Sequence, residues 1–476
     1  MIPLSVAELT HVVRGEPHDI PESPPLITGP VVIDSRLVEP GSLFAALPGE
    51  RVDGHDFAAA AVAAGAAVVL AARPVGVPAV VVDDVVAALS ELARHTVRAL
   101  DPTVVALTGS AGKTSTKDLI AQVLERVGPT VFTPGSFNNE IGLPLTALRT
   151  EEATRYLVLE MGARGIGHIR HLTELTPPRV GLVLNVGTAH IGEFGGREAI
   201  AQAKGELVEA LPPAAEGGVA ILNADDPLVR AMAARTRART VFFGESEDAT
   251  IRAEHIRLTP QGRPSFRLTT PTGYADVTMR LYGEHHVSNA LAAAAVAHEV
   301  GMSAEAIAET LATAGPLSKW RMEVTERADG VTIVNDAYNA NPDSMRAALR
   351  ALAAMGETAK ADGGRTWAVL GPMAELGDET FAEHDAVGRL AVRLNVNKLV
   401  SVGGQEAAWM DMGAKNEGSW GEESVHVSDA RAAVELLRGE LRPGDVVLVK
   451  ASRSVGLEQV ADALLAGDAD GEVAAR

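Results

Sequence analysis

The sequence predicts an α/β protein of three domains. The chain has 476 residues, and domains usually hold about 100 to 200 residues each. From residue 100 onward, short runs of Val, Leu and Ile alternate with helical patterns, and the runs end in Gly, Asp or Asn. Buried strands joined by crossover helices are typical of parallel sheets. We therefore place the three domains at 1–99, 100–314 and 315–476.

The first predicted domain consists of short strands, turns and two helices. The stretch VVIDSRLVEPGSLFAAL, 31–47, predicts a strand, a polar turn and a second strand. The apolar run FAAAAVAAGAAVVLAA, 57–72, falls short of the roughly 20 residues of a membrane span and predicts a helix that leads into a buried strand. A further strand at 77–84 and a helix to Leu100 complete this domain.

The second and third predicted domains repeat the pattern of buried strand and helix. In the second domain, residues 250–282 alternate and carry turn residues, which indicates an antiparallel edge, and an Ala-rich helix ends at Gly301. In the third domain we expect surface loops at 357–365 and 412–423. The parallel strands are predicted at 103–108, 156–162, 179–187 and 218–226, then at 331–336, 366–371, 398–404 and 445–451.

Composition excludes several classes of function. The net charge is −20, which argues against a nucleic acid or an anionic lipid as partner. The chain has no cysteine, which excludes disulfides, a thiolate nucleophile and Cys-ligated zinc. The first residues lack a basic segment followed by an apolar core, so we expect no signal peptide. These observations predict a soluble cytoplasmic protein without a membrane span.

The stretch ALTGSAGKTSTKDLI, 106–120, predicts a phosphate-binding loop of unusual spacing. A Walker A loop reads G-x-x-x-x-G-K-[ST], whereas the spacing here is G-x-x-G-K-T. A strand precedes the loop and a helix follows it, so the N–H groups of the helix N-terminus suit phosphate oxygens. We expect Lys113 to reach the β- and γ-phosphates and Thr114 to offer its hydroxyl to Mg²⁺. A plain strand-to-helix turn is the alternative.

Other polar residues follow the strands of the second domain. Glu160 ends one strand, where ligands of open α/β sheets bind, and it could hold Mg²⁺ or cap the next helix. His190 follows the next strand, although a lone His is usually structural. Lys204 lies on a helix, where a lysine is normally solvated. Asn138 and Asn139 offer amides for recognition, or they belong to a turn.

The third domain carries two further polar segments. NDAYNANPDSM, 335–345, contains Asp336, Asn339 and Asn341, which is more polar chemistry than a turn requires. VLVKASRSVG, 447–456, places cations at another junction of strand and helix, which attracts anions. The third domain is therefore expected to face the same phosphates as the loop.

These pieces together, and in this order, resemble the Mur ligases. The motifs that carry the resemblance span most of the chain, and the family's own loop has the shorter spacing. The resemblance implies a small α/β UDP-binding N-domain, a central, mostly parallel-sheet P-loop ATPase domain and a Rossmann-like C-terminal domain. The motifs are TGSAGKTSTK, NNEIGLP, LEMGA, NVGTAHIGEFG, AKGEL, GEHHVSNALAA and NDAYNANPDSM.

The resemblance also implies roles for residues. The loop binds the ATP phosphates, Glu160 and His190 hold a magnesium with Thr114, and the helix lysine, often carbamylated in this family, supports a second magnesium at Lys204. The family's H-N-x-x-N motif contacts adenine, and here His286 stands in place of its first Asn. The remaining implied positions are Gly109, Ser110, Ala111, Gly112, Lys113 and Ser115 in the loop, His285, Asn289, Asp336 and Asn339 for ATP, and Ser35, Arg36, Asn138, Asn139, Asn341, Lys450, Ser452 and Arg453 for substrate.

The implied activity is an ATP-dependent ligation through an acyl phosphate. NDAYNANPDSM and DSRLVEPGSLFAALPGERVDGHDF are most similar to the members that add D-alanyl-D-alanine to UDP-MurNAc-tripeptide for peptidoglycan synthesis, and the family is usually monomeric. A DNPR-type motif of ligases that add diaminopimelate is absent from the sequence. The alternatives are another Mur-type amino acid ligase, a folylpolyglutamate synthetase, or a non-catalytic nucleotide-binding scaffold.

Overall fold

Three β-sheets follow one another along the chain and confirm the predicted three-domain α/β architecture. The computed structural model describes residues 2–49, 52–188, 191–361, 363–419 and 421–466. No helix in these ranges is long and apolar enough to cross a bilayer. The boundaries at residues 100 and 315 stay predictions.

The first sheet has five strands in the order β1-β5-β4-β3-β2, with β1 antiparallel to β5 and the other pairs parallel. The long helix that closes this unit begins at Asp84, whose carboxylate accepts the backbone N–H groups of Val86 and Ala87. The elements are α1 (Val6–Val13), β1 (Glu16–His18), β2 (Val31–Val32), β3 (Leu43–Ala45), α2 (Ala58–Ala63), β4 (Val68–Ala71), β5 (Ala79–Val81) and α3 (Val85–Leu100).

The second sheet has nine strands in the order β14-β13-β12-β11-β10-β9-β6-β8-β7. Strands β12, β13 and β14 form the predicted antiparallel edge, and the remaining pairs are parallel. The elements are β6 (Thr103–Thr108), α4 (Lys113–Glu125), β7 (Thr130–Phe132), α5 (Gly142–Ala147), β8 (Tyr156–Glu160), α6 (His168–Leu175), β9 (Val180–Val183), α7 (Ile191–Phe194), α8 (Arg197–Glu209), β10 (Val219–Asn223), α9 (Pro227–Arg230), β11 (Arg239–Gly244), β12 (Ile251–Leu258), β13 (Pro264–Thr270), β14 (Gly273–Thr278), α10 (His286–Glu299) and α11 (Ala304–Thr313).

The third sheet has six strands in the order β15-β16-β20-β17-β18-β19, with β15 antiparallel to β16 and the other pairs parallel. The elements are β15 (Glu323–Glu326), β16 (Thr332–Asn335), α12 (Pro342–Ala361), β17 (Thr366–Leu370), α13 (Thr380–Arg393), β18 (Lys398–Val402), α14 (Gln405–Glu417), β19 (Ser424–Val427), α15 (Ala430–Glu440), β20 (Val446–Lys450) and α16 (Glu458–Ala466).

The prediction of surface loops at 357–365 and 412–423 was wrong for the first half of each stretch. Helix α12 continues to Ala361 and helix α14 continues to Glu417. The helix continues because Ala359 and Lys360 are strong helix formers. The polar, solvent-facing end of a helix resembles a loop only in its composition. Helix α14 ends at Gly418, whose φ of 126° lies in the left-handed region that favours glycine.

Helix α3 joins the first two units into one apolar core. Its buried Leu89 and Val97 belong to the same hydrophobic cluster as Leu143 and Leu148 at α5 and Leu172 on α6. The same cluster includes the inner side chains of α1 and of the first sheet. The first unit is therefore packed, through α3, against helices α5 and α6 of the second unit.

One buried carboxylate supports the third sheet, and its loss should be costly. Asp445, 1% exposed, accepts the Arg365 Nη2 at 2.7 Å and the Trp367 Nε1 at 3.0 Å. We expect Asp445→Ala to lower the free energy of unfolding of this unit by about 3 kcal/mol, because both donors lose their partner. Urea unfolding followed by tryptophan fluorescence reports on this unit, since the four tryptophans all lie after residue 315.

The matched control for this prediction is Asp329→Ala. Asp329 pairs with Arg327 but is 44% exposed, and exposed ion pairs contribute about 1 kcal/mol or less. Equal losses of stability in the two variants would contradict the role given to Asp445.

Candidate active site

A cavity of about 710 Å³ lies at the carboxyl edge of the second sheet, where the third unit covers it. Open α/β sheets bind ligands at this edge. Among the segments that line the cavity are the loop between β6 and α4, the end of β8, the start of α10, and the NDAYNANPDSM segment before and within α12. The structure therefore brings the second and third predicted domains to one site.

The loop before α4 takes the form that the sequence predicts, and Asn185 holds it in place. The Asn185 Oδ1 accepts the backbone N–H groups of Ser110 and Ala111, both at 2.9 Å. Gly112 is the N-cap of α4 and has a φ of 81°. A Cβ at this position would lie 2.6 Å from the Oδ1 of Asn289, so a glycine is also needed for the close approach of α10.

Lys113 and Thr114 begin the helix and face a buried carboxylate. The Thr114 hydroxyl donates to the Oε2 of Glu160 at 2.9 Å, and the amide of Asn138 donates to the Oε1 at 2.7 Å. The Lys113 Nζ donates to the Gly109 carbonyl at 2.7 Å. Burial lowers the pKa of Lys113, and the charge of Glu160 opposes that shift. The site thus combines a partly buried cation with a buried hydroxyl and a buried carboxylate.

Glu160 and Thr114 suit magnesium better than a transition metal. Glu160 is 1% exposed and Thr114 is 3% exposed, so both oxygen ligands are already desolvated. In the described ranges no three His, Cys, Asp or Glu residues cluster as a complete set of metal ligands. Mg²⁺ commonly takes one or two protein oxygens and completes its shell with water and phosphate. His190, the other predicted magnesium ligand, lies outside the described residues.

Lys204 is buried in the wall of the cavity, so the interpretation as a solvated helix residue was wrong. It is 4% exposed. Its pKa lies well below the ordinary value, chiefly because of burial and also because Lys113 carries like charge nearby. No carboxylate of the described residues forms an ion pair with it. A neutral, nucleophilic amine is the expected form of such a lysine.

Two histidines stand where α10 begins. The rings of His285 and His286 lie 4.3 Å apart between centroids. Burial lowers the pKa of His285 to about 4 and lowers that of His286 as well. His285 and Asn289 line the cavity, whereas His286 lies behind them. At this end of the cavity the lining side chains are therefore the His285 ring and the Asn289 amide.

The third unit reaches the loop directly. The Lys450 Nζ lies 2.6 Å from the Oδ2 of Asp336 and donates to the Asn339 carbonyl at 2.9 Å. The Asn341 amide donates to the Ser110 carbonyl at 3.5 Å. This ion pair orders the NDAYNANPDSM segment, and the segment in turn contacts the loop, as the sequence predicts.

Some predicted site residues lie away from the cavity. The Ser452 hydroxyl accepts the Ala374 N–H at 2.8 Å, and Arg453 pairs with Glu458. Ser35 and Arg36 belong to a short helical turn of the first unit, where Arg36 pairs with Asp34 at 2.6 Å. The predicted residues that line the cavity are Ser110, Ala111, Gly112, Lys113, Thr114, Ser115, Asn138, Asn139, Glu160, Lys204, His285, Asn289, Asp336, Asn339, Asn341 and Lys450.

Sequence reasoning missed Arg321 and Asn185. The Arg321 Nη2 donates to the hydroxyls of Thr114 and Ser136, both at 3.1 Å, and its guanidinium stacks on Tyr338 with 4.1 Å to the ring centroid. No local pattern marks this arginine. Asn185, by contrast, lies two residues beyond strand β9, and a polar residue at a strand end is the signal that identified Glu160.

Comparison with known proteins gives the family. The Mur ligase family catalytic domain matches residues 30–100, the Mur ligase middle domain matches 107–297, and the Mur ligase glutamate ligase domain matches 320–453. A Mycobacterium tuberculosis (strain ATCC 25618 / H37Rv) protein named UDP-N-acetylmuramoyl-tripeptide--D-alanyl-D-alanine ligase is 51% identical, over 99% of this chain and 100% of its own.

Solved structures agree with these matches. The chain resembles MurF from Acinetobacter baumannii with 34% identity and a TM-score of 0.84, over 97% of this chain and 99% of the other. It resembles MurF ligase from Thermotoga maritima in complex with ADP with 31% identity and a TM-score of 0.77, over 92% and 97% of the two chains. The expectation raised by the sequence motifs is thus confirmed, and the chain belongs to the Mur ligase family.

Proposed function

We propose that the protein joins D-alanyl-D-alanine to UDP-MurNAc-tripeptide at the expense of ATP, giving UDP-MurNAc-pentapeptide for peptidoglycan synthesis. Full-length similarity to ligases named for this reaction supports the choice of substrates. The observation that carries the proposal is the single cavity in which the phosphate loop, the Glu160–Thr114 pair and the third unit meet. We further expect the monomer usual in the family.

Each of the three units has a separate role in this proposal. Residues 1–99 bind the UDP-sugar-peptide, 100–314 bind ATP, and 315–476 form the Rossmann-like domain that covers the reacting groups. The loop N–H groups and Lys113 hold the ATP phosphates, and Thr114 and Glu160 would hold Mg²⁺. When bound, Mg²⁺ neutralises charge on the phosphate oxygens.

The phosphoryl step needs cations because two anions approach each other. A carboxylate oxygen of the tripeptide attacks the γ-phosphorus of ATP, the bond to the β-phosphate oxygen breaks, and ADP leaves. Lys113 can leave the Gly109 carbonyl for the phosphate, and Arg321 stands beside Thr114 as a further cation. Fixed charges aimed at the developing negative charge lower the barrier most effectively in a site that excludes water.

The second step forms the peptide bond. The neutral amine of D-alanyl-D-alanine attacks the acyl carbon, and the new C–N bond forms. Phosphate departs with the electron pair of the broken C–O bond and takes up the proton that the nitrogen loses. Water would hydrolyse the acyl phosphate, so the site must be closed during the reaction. The contact of Asn341 with the loop supports the proposal that the third unit provides that cover.

Lys204 fits carbamylation within the same proposal. Carbon dioxide reacts only with a neutral amine, and burial beside Lys113 lowers the pKa of Lys204, which favours that form. The resulting carbamate would present an anionic oxygen pair to Lys113 and could support a second magnesium.

Arg36 should contribute to the binding of the UDP end alone. Its guanidinium is 86% exposed and is oriented by Asp34, so it can donate two hydrogen bonds to a phosphate. We expect Arg36→Ala to weaken UDP-MurNAc-tripeptide binding about tenfold in calorimetric titrations, with ATP affinity unchanged. Arg98→Ala, an exposed arginine of α3, is the control. Unchanged affinity for the UDP substrate would remove Arg36 from the site.

The experiment that tests the proposed reaction is reconstitution with substrate omission. The protein is incubated with ATP, Mg²⁺, UDP-MurNAc-tripeptide and D-alanyl-D-alanine, and phosphate release and product mass are followed. Pentapeptide formed only in the complete mixture supports the proposal. Product formed from UDP-MurNAc-L-alanyl-D-glutamate and diaminopimelate favours the other ligase reaction. ATP binding without any product favours a scaffold.

A further inference from the structure

The chain that connects the second and third units lies along one stripe of helix α4. Positions four apart on a helix share a face, with about 6 Å between them along the axis. Residues 315–321, here called the connecting segment, contact this stripe at every third position. The contacting pairs are Gln122 with Gly315, Asp118 with Ser318, and Thr114 with Arg321.

The middle pair is the strongest of the three because a buried carboxylate forms it. The Asp118 Oδ2 accepts the backbone N–H of Leu317 at 3.2 Å and that of Ser318 at 2.9 Å, and its Oδ1 accepts the Ser318 hydroxyl at 3.0 Å. Lys117 lies 2.5 Å from the same carboxylate and donates to the Ser318 Oγ at 3.1 Å. Lys117 is 0% exposed and Asp118 is 3% exposed.

A buried ion pair is a poor way to gain stability, since desolvation of both charges offsets their attraction. What this pair provides is a fixed position. Asp118 accepts three hydrogen bonds from the connecting segment, and Lys117 donates both to Ser318 of that segment and to the Thr133 carbonyl. The pair thus fixes where the connecting segment runs along α4.

The end of the segment enters the ATP site. Three residues beyond Ser318, the Arg321 guanidinium donates to Thr114 at 3.1 Å. The Nε of Arg321 is buried and has no hydrogen-bond partner in the described part of the chain. Arg321 also lines the cavity, and its place there depends on how the segment is anchored.

We propose that Lys117 and Asp118 are positioning residues that act through Arg321, by holding the connecting segment so that its guanidinium meets the γ-phosphate of ATP beside Thr114. This inference rests on the proposed use of ATP but not on the identity of the other two substrates. It links the helix that begins at the phosphate loop to the chain that leads into the third unit.

A double-mutant cycle tests whether Asp118 acts through Arg321. ATP affinity is measured by calorimetry for the wild type, Asp118→Asn, Arg321→Ala and the double variant. We expect each single change to weaken ATP binding about tenfold, and the double variant to bind within about twofold of Arg321→Ala. A double variant weakened about a hundredfold would show independent effects and overturn the proposal.

Two further variants provide a substitute for Asp118→Asn and a control. Ser318→Ala removes one hydroxyl and keeps the buried ion pair, so it replaces Asp118→Asn if that variant fails to fold, with the same non-additivity expected. Thr96→Ala removes a buried hydroxyl of α3 that bonds to Leu92, and it should leave ATP affinity unchanged in both backgrounds. ATP affinity that falls equally in the Thr96 variant would assign the effect to general loosening and contradict the proposal.

The cycle separates this inference from the proposed reaction. A wild-type protein that binds ATP but makes no pentapeptide overturns the reaction, and the calorimetric cycle still decides the role of Asp118. A wild-type protein that does not bind ATP overturns both.

Discussion

Lys113→Ala is expected to reduce ATP turnover by at least about a thousandfold while UDP-MurNAc-tripeptide binding stays near that of the wild type. Lys113 is the partly buried cation at the start of α4, and it lies beside the Glu160–Thr114 pair. Two anions must approach each other in the phosphoryl step, so the loss of this charge raises the barrier directly. The first unit, which is expected to hold the UDP end, lies outside the cavity that Lys113 lines.

The measurement is phosphate release in the complete mixture, together with calorimetric titration of the UDP substrate. Lys360→Ala is the control, because Lys360 is an exposed lysine near the end of α12 that donates to the Asn395 carbonyl. Turnover within about tenfold of the wild type in the Lys113 variant would contradict the assignment of the loop.

Lys204→Ala is expected to have the second largest effect, a loss of activity of at least about a hundredfold. Lys204 is buried in the cavity wall with a lowered pKa and without a carboxylate partner in the described part of the chain. If a carbamate on Lys204 supplies a negative charge at this position, formate or acetate should enter the space left by the shortened side chain and restore part of the activity. The readout is the rate of pentapeptide formation against acid concentration.

Lys204→Arg provides the comparison for this prediction. Arginine keeps a positive charge and does not form a carbamate, so this variant should be inactive and should not respond to added acid. Activity near the wild-type level in either variant would remove Lys204 from the reaction. Loss of activity without rescue in Lys204→Ala would leave Lys204 in the site and reject the carbamate.

Much of this site was predictable because parallel sheets place functional residues by a local rule. Glu160 follows a buried strand, and the phosphate loop lies between a strand and a helix. Since the carboxyl ends of parallel strands share one edge, residues from separate strands meet without any knowledge of the packing. Asn185 obeys the same rule and could have been identified in the same way.

The features that sequence reasoning missed depend on contacts over long distances along the chain. Arg321 contacts Thr114 across 207 residues, and that contact exists because the connecting segment folds back along α4. The burial of Lys204 has a similar cause. Helical periodicity shows which residues share a face of α8, but not that this face borders a polar cavity instead of solvent.

Isotope transfer tests the central claim most directly. UDP-MurNAc-tripeptide labelled with ¹⁸O in its reacting carboxylate is turned over with ATP and D-alanyl-D-alanine, and the released phosphate is analysed by mass spectrometry. An acyl phosphate intermediate predicts pentapeptide together with phosphate that carries one ¹⁸O atom from the substrate. Pentapeptide with unlabelled phosphate, or ATP hydrolysis without pentapeptide, would contradict it.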